Sequence, residues 1–529
     1  MRKNLISFMA LAVLAFSPAA YAQKPVSDEG LAQVKQAVDE AIKFERDIAA
    51  KSGAGLKMSS DAQISNKGSY YEVRLPDISY TYPAVGVIDV GTVVLNVTHG
   101  KTDDEYLASM AVQPTMNFTA EDGQKLVMNI GAQKFAMAWQ ASLRTPTRVD
   151  AEYKDLKLTS EGKEKFDAVI ANTRIVVNLQ KNAEGTWTGP IETEMTDITA
   201  NLPPSETAGA ATVKLARLYN KTDYDSFDLA LALSSKKKME ALVNDAEGKN
   251  VEDTEKVLTT MLEDGTTFFG GAKTEIVLTN FVADVAAPAA KEGQTPEKPR
   301  SLRLAEFSSL VDIQGLKADK GKIAARATVK DLVANNVVDP ETAGYLPQNA
   351  NIEIYMDDMP LQSLYKAFAG LAIQGLRAAQ MAEDAEARGQ PSNMKRHHES
   401  QVMAAAFALP QMLTTAGSTI SVRNSFIRAQ DLSAELFGSF KATPGAAKVG
   451  VGELTMTLQG LDELLKKLET ADTRQGRRAV QGLSFLQVLG QQDTKDGKPI
   501  RKYVFAVTPE GKMLLNGAEV GGLMGGLPQ

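Results

Sequence analysis

Residues 354–364 read IYMDDMPLQSL, an apolar run that closes on two adjacent aspartates. Whether Asp357 and Asp358 form a site or a corner decides how the rest of the chain is read. Alternation over 352–358 puts Ile352, Ile354 and Met356 on one strand face, and Met359 then breaks the parity. Neighbours on a strand point to opposite faces. While the strand lasts, these carboxylates therefore converge neither on a cation nor on a shared proton. The pattern predicts a strand that bends at Asp358 and passes into a helix. Asp358 is expected to cap that helix, with Pro360 in its first turn.

The same signature recurs along the chain. Asp155-Leu156, Asp197-Ile198, Asn280-Phe281, Gly315-Leu316, Asp331-Leu332, Asp358-Met359 and Gly460-Leu461 each pair a small or acidic residue with a large apolar one. Asp, Asn and Gly share a tolerance for turn and bulge geometry. Each pair is read as a strand end, after which the apolar neighbour drops into the core. Asp155, Asp197, Asp331 and Asp358 are thus expected to serve the fold.

Between these corners the chain is mostly strand. YYEVRLPDISYTYP (70–83) and GVIDVGTVVLNVTHG (86–100) alternate, and KLVMNIGAQKFAMAW (125–139) reads as a hairpin about Gly131. Residues 27–50 carry Leu31, Val34, Val38 and Ile42 at helical spacing behind a capping Ser27, which predicts an amphipathic helix. Residues 236–264 and 371–413 also read as helical. In the second half, three strands and a helix occur twice, the helices carrying Leu361 and Leu364, then Leu461 and Leu465. The predicted class is α+β: β-rich antiparallel meanders with an N-terminal amphipathic helix and strand-strand-strand-helix units repeated in the C-terminal half. The expected organisation is a signal peptide (1–22), an N-terminal helix and connection (23–66), and a β-rich domain with a helical insertion (67–285). A linker or surface loop (286–300), rich in Ala, Pro and charge, then leads to a β/helix repeat domain (301–529).

The first 22 residues join a basic start, Arg2 and Lys3, to an apolar run from Leu5 to Phe16 and to Ala20-Tyr21-Ala22. This reads as a secretory signal peptide cleaved after Ala22, its apolar core too short to span a bilayer. No other stretch approaches the roughly 18 uncharged apolar residues that a spanning helix needs, so membrane contact is expected to be peripheral at most. The chain has no cysteine, which excludes thiol catalysis, disulfides, thiolate metal sites and lipoprotein anchoring. That suits an oxidising bacterial periplasm. The Gly-rich C-terminus lacks the closing aromatic strand of an outer-membrane barrel. Periplasmic localisation is expected. Acidic residues outnumber basic ones 65 to 58, a net charge of −7, and no basic stripe is interleaved with aromatics, so no nucleic-acid partner is expected. Lys236, Lys237 and Lys238 are read as a solvated helix start.

Little of the remaining sequence resembles reaction chemistry. His99 is read in a THG turn, and His397, His398 and Glu399 are adjacent, without the i, i+4 spacing of a helical zinc pair. Ser160–Lys163 and Ser234–Lys237 match S-x-x-K among polar turn residues, and no G-x-S-x-G, P-loop or dinucleotide fingerprint occurs. No catalytic, cofactor-binding or metal-ligating residue is assigned, and no cofactor is expected.

VRLPDISYTYPAVGVIDVGTVVLNV (73–97), AWQASLRTPTRVDAEYKDLKLT (138–159) and YVFAVTPEGKMLLNGAEV (503–520) resemble the YdgA-like families of bacterial envelope proteins. In those families a strand and a Gly turn lead to a close like Leu514, Leu515, Asn516 and Gly517 here. ISVRNSFIRAQDLSAELFGSF (420–440) is similar in rhythm to AsmA-like lipid-handling proteins. The resemblance implies a periplasmic β-rich protein and transfers no catalytic residue. The expected function is that of a non-enzymatic envelope protein binding lipid or another apolar ligand on curved sheets. The alternatives are a protein–protein interaction scaffold without a ligand groove, partnered by another envelope protein, and a cell-wall hydrolase using carboxylates scattered in sequence. Enzymatic activity is left open.

Overall fold

Long alternating stretches separated by Gly, Asp and Asn dictate strands joined by turns, and the computed structural model is dominated by one antiparallel sheet. It describes residues 26–51, 54–82, 85–121, 123–161, 165–204, 209–235, 268–288, 297–338, 343–367, 411–443, 450–470, 474–495 and 497–520, with helical positions at 259, 370, 371 and 375. The sequence readings at 1–22, at Lys236–Lys238 and through His397, His398 and Glu399 lie outside the described residues, as do most of 236–264 and 371–413.

The short strands β1 (Gly55–Lys57) and β2 (Gln63–Asn66) pair with β3 (Tyr71–Tyr82), and β3 pairs with β4 (Gly86–His99). The two ends of β4 meet different partners, β5 (Glu105–Ala111) and β6 (Thr115–Ala120). β6 then pairs with β7 (Lys125–Asn129) and β5 with β8 (Ala132–Gln140), and both β7 and β8 lie on β9 (Thr145–Glu161). The hairpin expected about Gly131 is therefore absent. β7 and β8 run end to end along one partner, because each finds its ladder on β9 instead of on the other.

β10 (Asp167–Asn178) follows on β9, and the two-residue β11 (Gln180–Lys181) pairs with β12 (Trp187–Leu202). The meander continues with β13 (Ala211–Phe227), β14 (Gly271–Val285), β15 (Arg300–Gln314), and then β16 (Gly321–Lys330) and β17 (Val333–Asn335), end to end on β15. β14 and β15 pair from Val285–Arg300 to Gly271–Gln314, so the sheet runs without a break across the segment 286–300. Beyond lie β18 (Asn349–Met359), β19 (Thr419–Arg428), β20 (Ser433–Lys441) and β21 (Val451–Gln459). β22 (Gln491–Lys495), β23 (Lys498–Val507), β24 (Met513–Leu515) and β25 (Ala518–Glu519) close the order, with β23 on β21.

Helices sit at the two ends of this sheet, and short helical segments at 229–235, 361–367 and 411–416 join strands between them, Leu229 being buried with Leu179 and Trp187. α1 (Asp28–Lys51) begins where the Gly30 N–H donates to the Ser27 hydroxyl at 3.0 Å, and it buries Val34 against Tyr71, Val73, Val93, Leu95 and Tyr106. Gly30 has no room for a side chain, since a Cβ there would overlap the Tyr71 hydroxyl. At the far end, helices Leu461–Thr470 and Arg474–Leu489 pack by β23. Leu461 and Leu465 are buried, and the Tyr503 hydroxyl donates to the Leu486 carbonyl at 2.7 Å.

All seven corner residues have positive φ, from 51° at Asp197 and Asp331 to 85° at Gly460, but they divide into two kinds. Gly315, Asp358 and Gly460 end their strands. Asp155, Asp197 and Asn280 do not: β9, β12 and β14 continue past them in unbroken register. Asp331 behaves like these, standing between β16 and β17, which share the partner β15. The strand-end reading is corrected for these four. One left-handed residue rotates the chain while its neighbours keep their ladder bonds. Asp358 is also not the helix cap, because the helix begins at residue 361; its carbonyl accepts from the Ser418 hydroxyl at 2.9 Å.

Candidate functional site: the apolar face of a creased sheet

The kinks fall on one line. Lys154 pairs with Asn172 and Leu156 with Ile170, which sets Asp155 opposite Ala171. The same accounting sets Ala171 opposite Asp197, Asp197 opposite Ala216, Ala216 opposite Asn280, Asn280 opposite Ala305, and Ala305 opposite Asp331. Gly131 extends the line toward β7 and β8: its N–H donates to the Lys154 carbonyl at 3.0 Å, and a Cβ on it would press into Asp155. A left-handed residue on one strand and a small residue on the next thus alternate across the sheet, creasing it over seven consecutive strands.

At the crease the side-chain alternation shifts by one. Tyr153, Ala151 and Val149 face one side before Asp155, and Leu156 and Leu158 face the same side after it. Leu156 packs against the cluster that holds Tyr153. Two apolar rails flank the line. One passes through Leu156, Ile170, Ile198, Leu215, Phe281 and Leu304, the other through Met195, Leu218, Leu278, Phe307 and Val329.

From β9 to β21 the described strand positions on this face carry two charged residues, Lys181 in β11, opposite Trp187, and Arg300 at the outer end of β15, where it pairs with Glu297 at 2.8 Å. The reverse face carries most of the charge, with Glu152 opposite Arg174, Lys134–Asp150 at 2.9 Å and Lys330–Glu306 at 3.0 Å, although Phe437 and Val333 also stand exposed on it. Such segregation is expected of a sheet with one dry side. The apolar side is nevertheless open in places: Ile276, Val311, Ile352, Ile420 and Ile427 are 38–42 % exposed. All five sit on it by register. α1 and the C-terminal helix pair cover its ends.

Among the described residues, those singled out in the sequence stand apart from one another. Asp357 lies near Lys322 at 3.9 Å on the charged face, and Asp358 is a strand end. His99 is not in a turn; it is the last residue of β4, buried beneath α1, with the Tyr71 hydroxyl 3.5 Å from its Nε2 and the Tyr106 ring 5.4 Å away. The Ser160 hydroxyl accepts from the Phe166 N–H at 2.7 Å, and the Ser234 and Ser235 hydroxyls both donate to the Leu231 carbonyl at 2.9 Å. Among the described residues, no group of three or more His, Asp or Glu is placed to hold a metal ion, and no helix is long and apolar enough to cross a membrane. A cleft of about 460 Å³ beside α1, lined by Tyr106, Trp139, Glu40 and Arg144, is bridged by the Arg144–Glu40 ion pair at 2.7 Å. Tyr106 and Trp139 there also belong to the core beneath α1.

The crease went unread in the sequence, although its signal was present as a parity break inside an otherwise regular alternation. Comparison of the chain with protein-family models, curated proteins and solved structures finds no match.

Proposed function

We propose that this chain is a non-enzymatic protein of the bacterial periplasm, exported by a signal peptide cleaved after Ala22, that binds lipid on the apolar face of its creased sheet. The reading rests on one observation above the others. From β9 to β21 one face carries only Lys181 and Arg300 as charged residues yet leaves isoleucines about two-fifths exposed. Contiguous exposed apolar surface on a folded protein marks a binding face. An acyl chain satisfies such a face without leaving a polar group unpaired. The likeness to YdgA-like envelope proteins agrees with this, as does the scarcity of groups suited to chemistry. We also read β15–β18 and β19–β21, each followed by a helix, as two copies of one unit.

The test is native mass spectrometry, with lipid extraction, of the mature protein purified from its own periplasm without detergent. Co-purified acyl lipid at stoichiometric level is the expected result. A clean apo mass that persists after incubation with envelope lipid would overturn the reading and favour an interaction scaffold.

A further inference from the structure

The last helix, Arg474–Leu489, is apolar on two sides, and only one of them is packed. On the inner side Val480, Leu483 and Leu486 are half-buried, and the end of the helix is fastened through its backbone. The Leu486 carbonyl accepts from the Tyr503 hydroxyl at 2.7 Å and the Gly490 N–H at 3.0 Å, and the Leu489 carbonyl accepts from the Asn516 amide at 2.8 Å. The outer side carries Phe485, 61 % exposed, and Val488, 81 % exposed, about one turn apart. They are the most exposed large apolar side chains among the described residues. A helix that had only to pack on its own sheet would carry polar residues at these positions.

The charge around this pair is basic. No charged residue occurs from Ala479 to Gly490, whereas Arg474, Arg477 and Arg478 open the helix in the sequence. From Arg474 to Lys502, seven Lys and Arg stand against two Asp, a local charge of +5 in a chain of net −7. Two side chains make too small a patch for a protein partner, since a stable interface buries about 800 Å² on each side. An anionic bilayer needs no such area. Phe and Val enter its acyl boundary, and Lys and Arg are drawn to its surface charge. We propose that the outer face of the last helix docks on an anionic lipid bilayer, with Phe485 and Val488 inserted. This proposal does not rest on lipid binding by the sheet, which the co-purified lipid decides separately.

The mature full chain would be floated on a density gradient with vesicles of phosphatidylcholine, alone or with phosphatidylglycerol added. At least fivefold greater recovery with the anionic vesicles is expected. The double variant Phe485→Ser with Val488→Ser is expected to lose at least fivefold of that recovery while keeping wild-type circular dichroism. Full recovery of the folded double variant would overturn the proposal. Should the double variant fail to fold, a label makes the decision. The chain has no cysteine, so Val488→Cys carries a polarity-sensitive fluorophore at one position. Its emission is expected to shift blue on adding anionic vesicles, whereas the same label at Asp319→Cys, exposed between β15 and β16, is expected not to shift. No shift at Val488, or equal shifts at both positions, would overturn the proposal. Absence of flotation with either vesicle would also overturn it and make a protein the occupant of this face.

Discussion

Asp197 has φ 51° in the middle of a sixteen-residue strand, a conformation that an L-residue adopts at a cost of about 1–2 kcal/mol unless it is Asn or Asp. The short polar side chains of Asp and Asn can bond local backbone, which makes the left-handed well more tolerable to them than to alanine. Asp197→Ala should therefore destabilise by about 1 kcal/mol, and Asp197→Gly by less than half of that, read as midpoint shifts in urea. Equal losses for the two variants would mean that the carboxylate, and not the backbone, matters there. The facing residue makes a complementary case. Ala171, Ala216 and Ala305 alternate with the kinked residues, each partly buried and directly opposite one of them. Ala216→Leu is expected to cost about 1–3 kcal/mol, as overpacking does, measured in the same denaturation series. A neutral result would show that the alanines are incidental to the crease. Both effects were half-legible in the sequence. Asp155, Asp197 and Asn280 stand out as parity breaks, but only the partner strand shows that the ladder resumes beyond them.

At the scale of elements, what was readable depended on how local the cause was. The β-rich character follows from alternation within each strand, and alternation is a local property. The pairing of β7 and β8 is set by β9, up to 36 residues away in the case of Lys125 and Glu161, and nothing in KLVMNIGAQKFAMAW encodes it. The C-terminal helix pair has an electrostatic anchor of the same long-range kind. Asp462 accepts from Gln487 at 2.8 Å and from Arg501 at 3.2 Å. Partial burial pulls the carboxyl up, but those hydrogen bonds and the Arg501 charge outweigh it and hold the group below its ordinary 3.8. A carboxyl depressed in the folded state contributes stability that is present above its unfolded value and lost as pH falls through the folded one. Melting temperature should thus fall below about pH 4, and Asp462→Asn should be less stable than wild type near neutrality, the gap narrowing at low pH. A constant gap from pH 6 to pH 2.5 would assign the effect to packing instead.

For the whole molecule, the separation of one neutral face from one charged face distinguishes the lipid reading from recognition by charge. Binding driven by Lys or Arg contacts weakens steeply as salt shortens the Debye length from about 10 Å at 0.1 M to about 3 Å at 1 M. Apolar burial has no such dependence, and is strengthened slightly by excluded salts. The described rails beside the crease carry no charge, while the reverse face carries Arg174, Glu194, Glu306 and Lys330. Titration with an environment-sensitive fluorescent fatty acid should therefore give affinities within about twofold across that salt range. The heat-capacity change on binding should be negative, which is the robust mark of apolar burial. An affinity that falls tenfold or more over the same range would move the binding site to the charged face. The crease would then be a device that gives a long open sheet its curvature, without a ligand to hold.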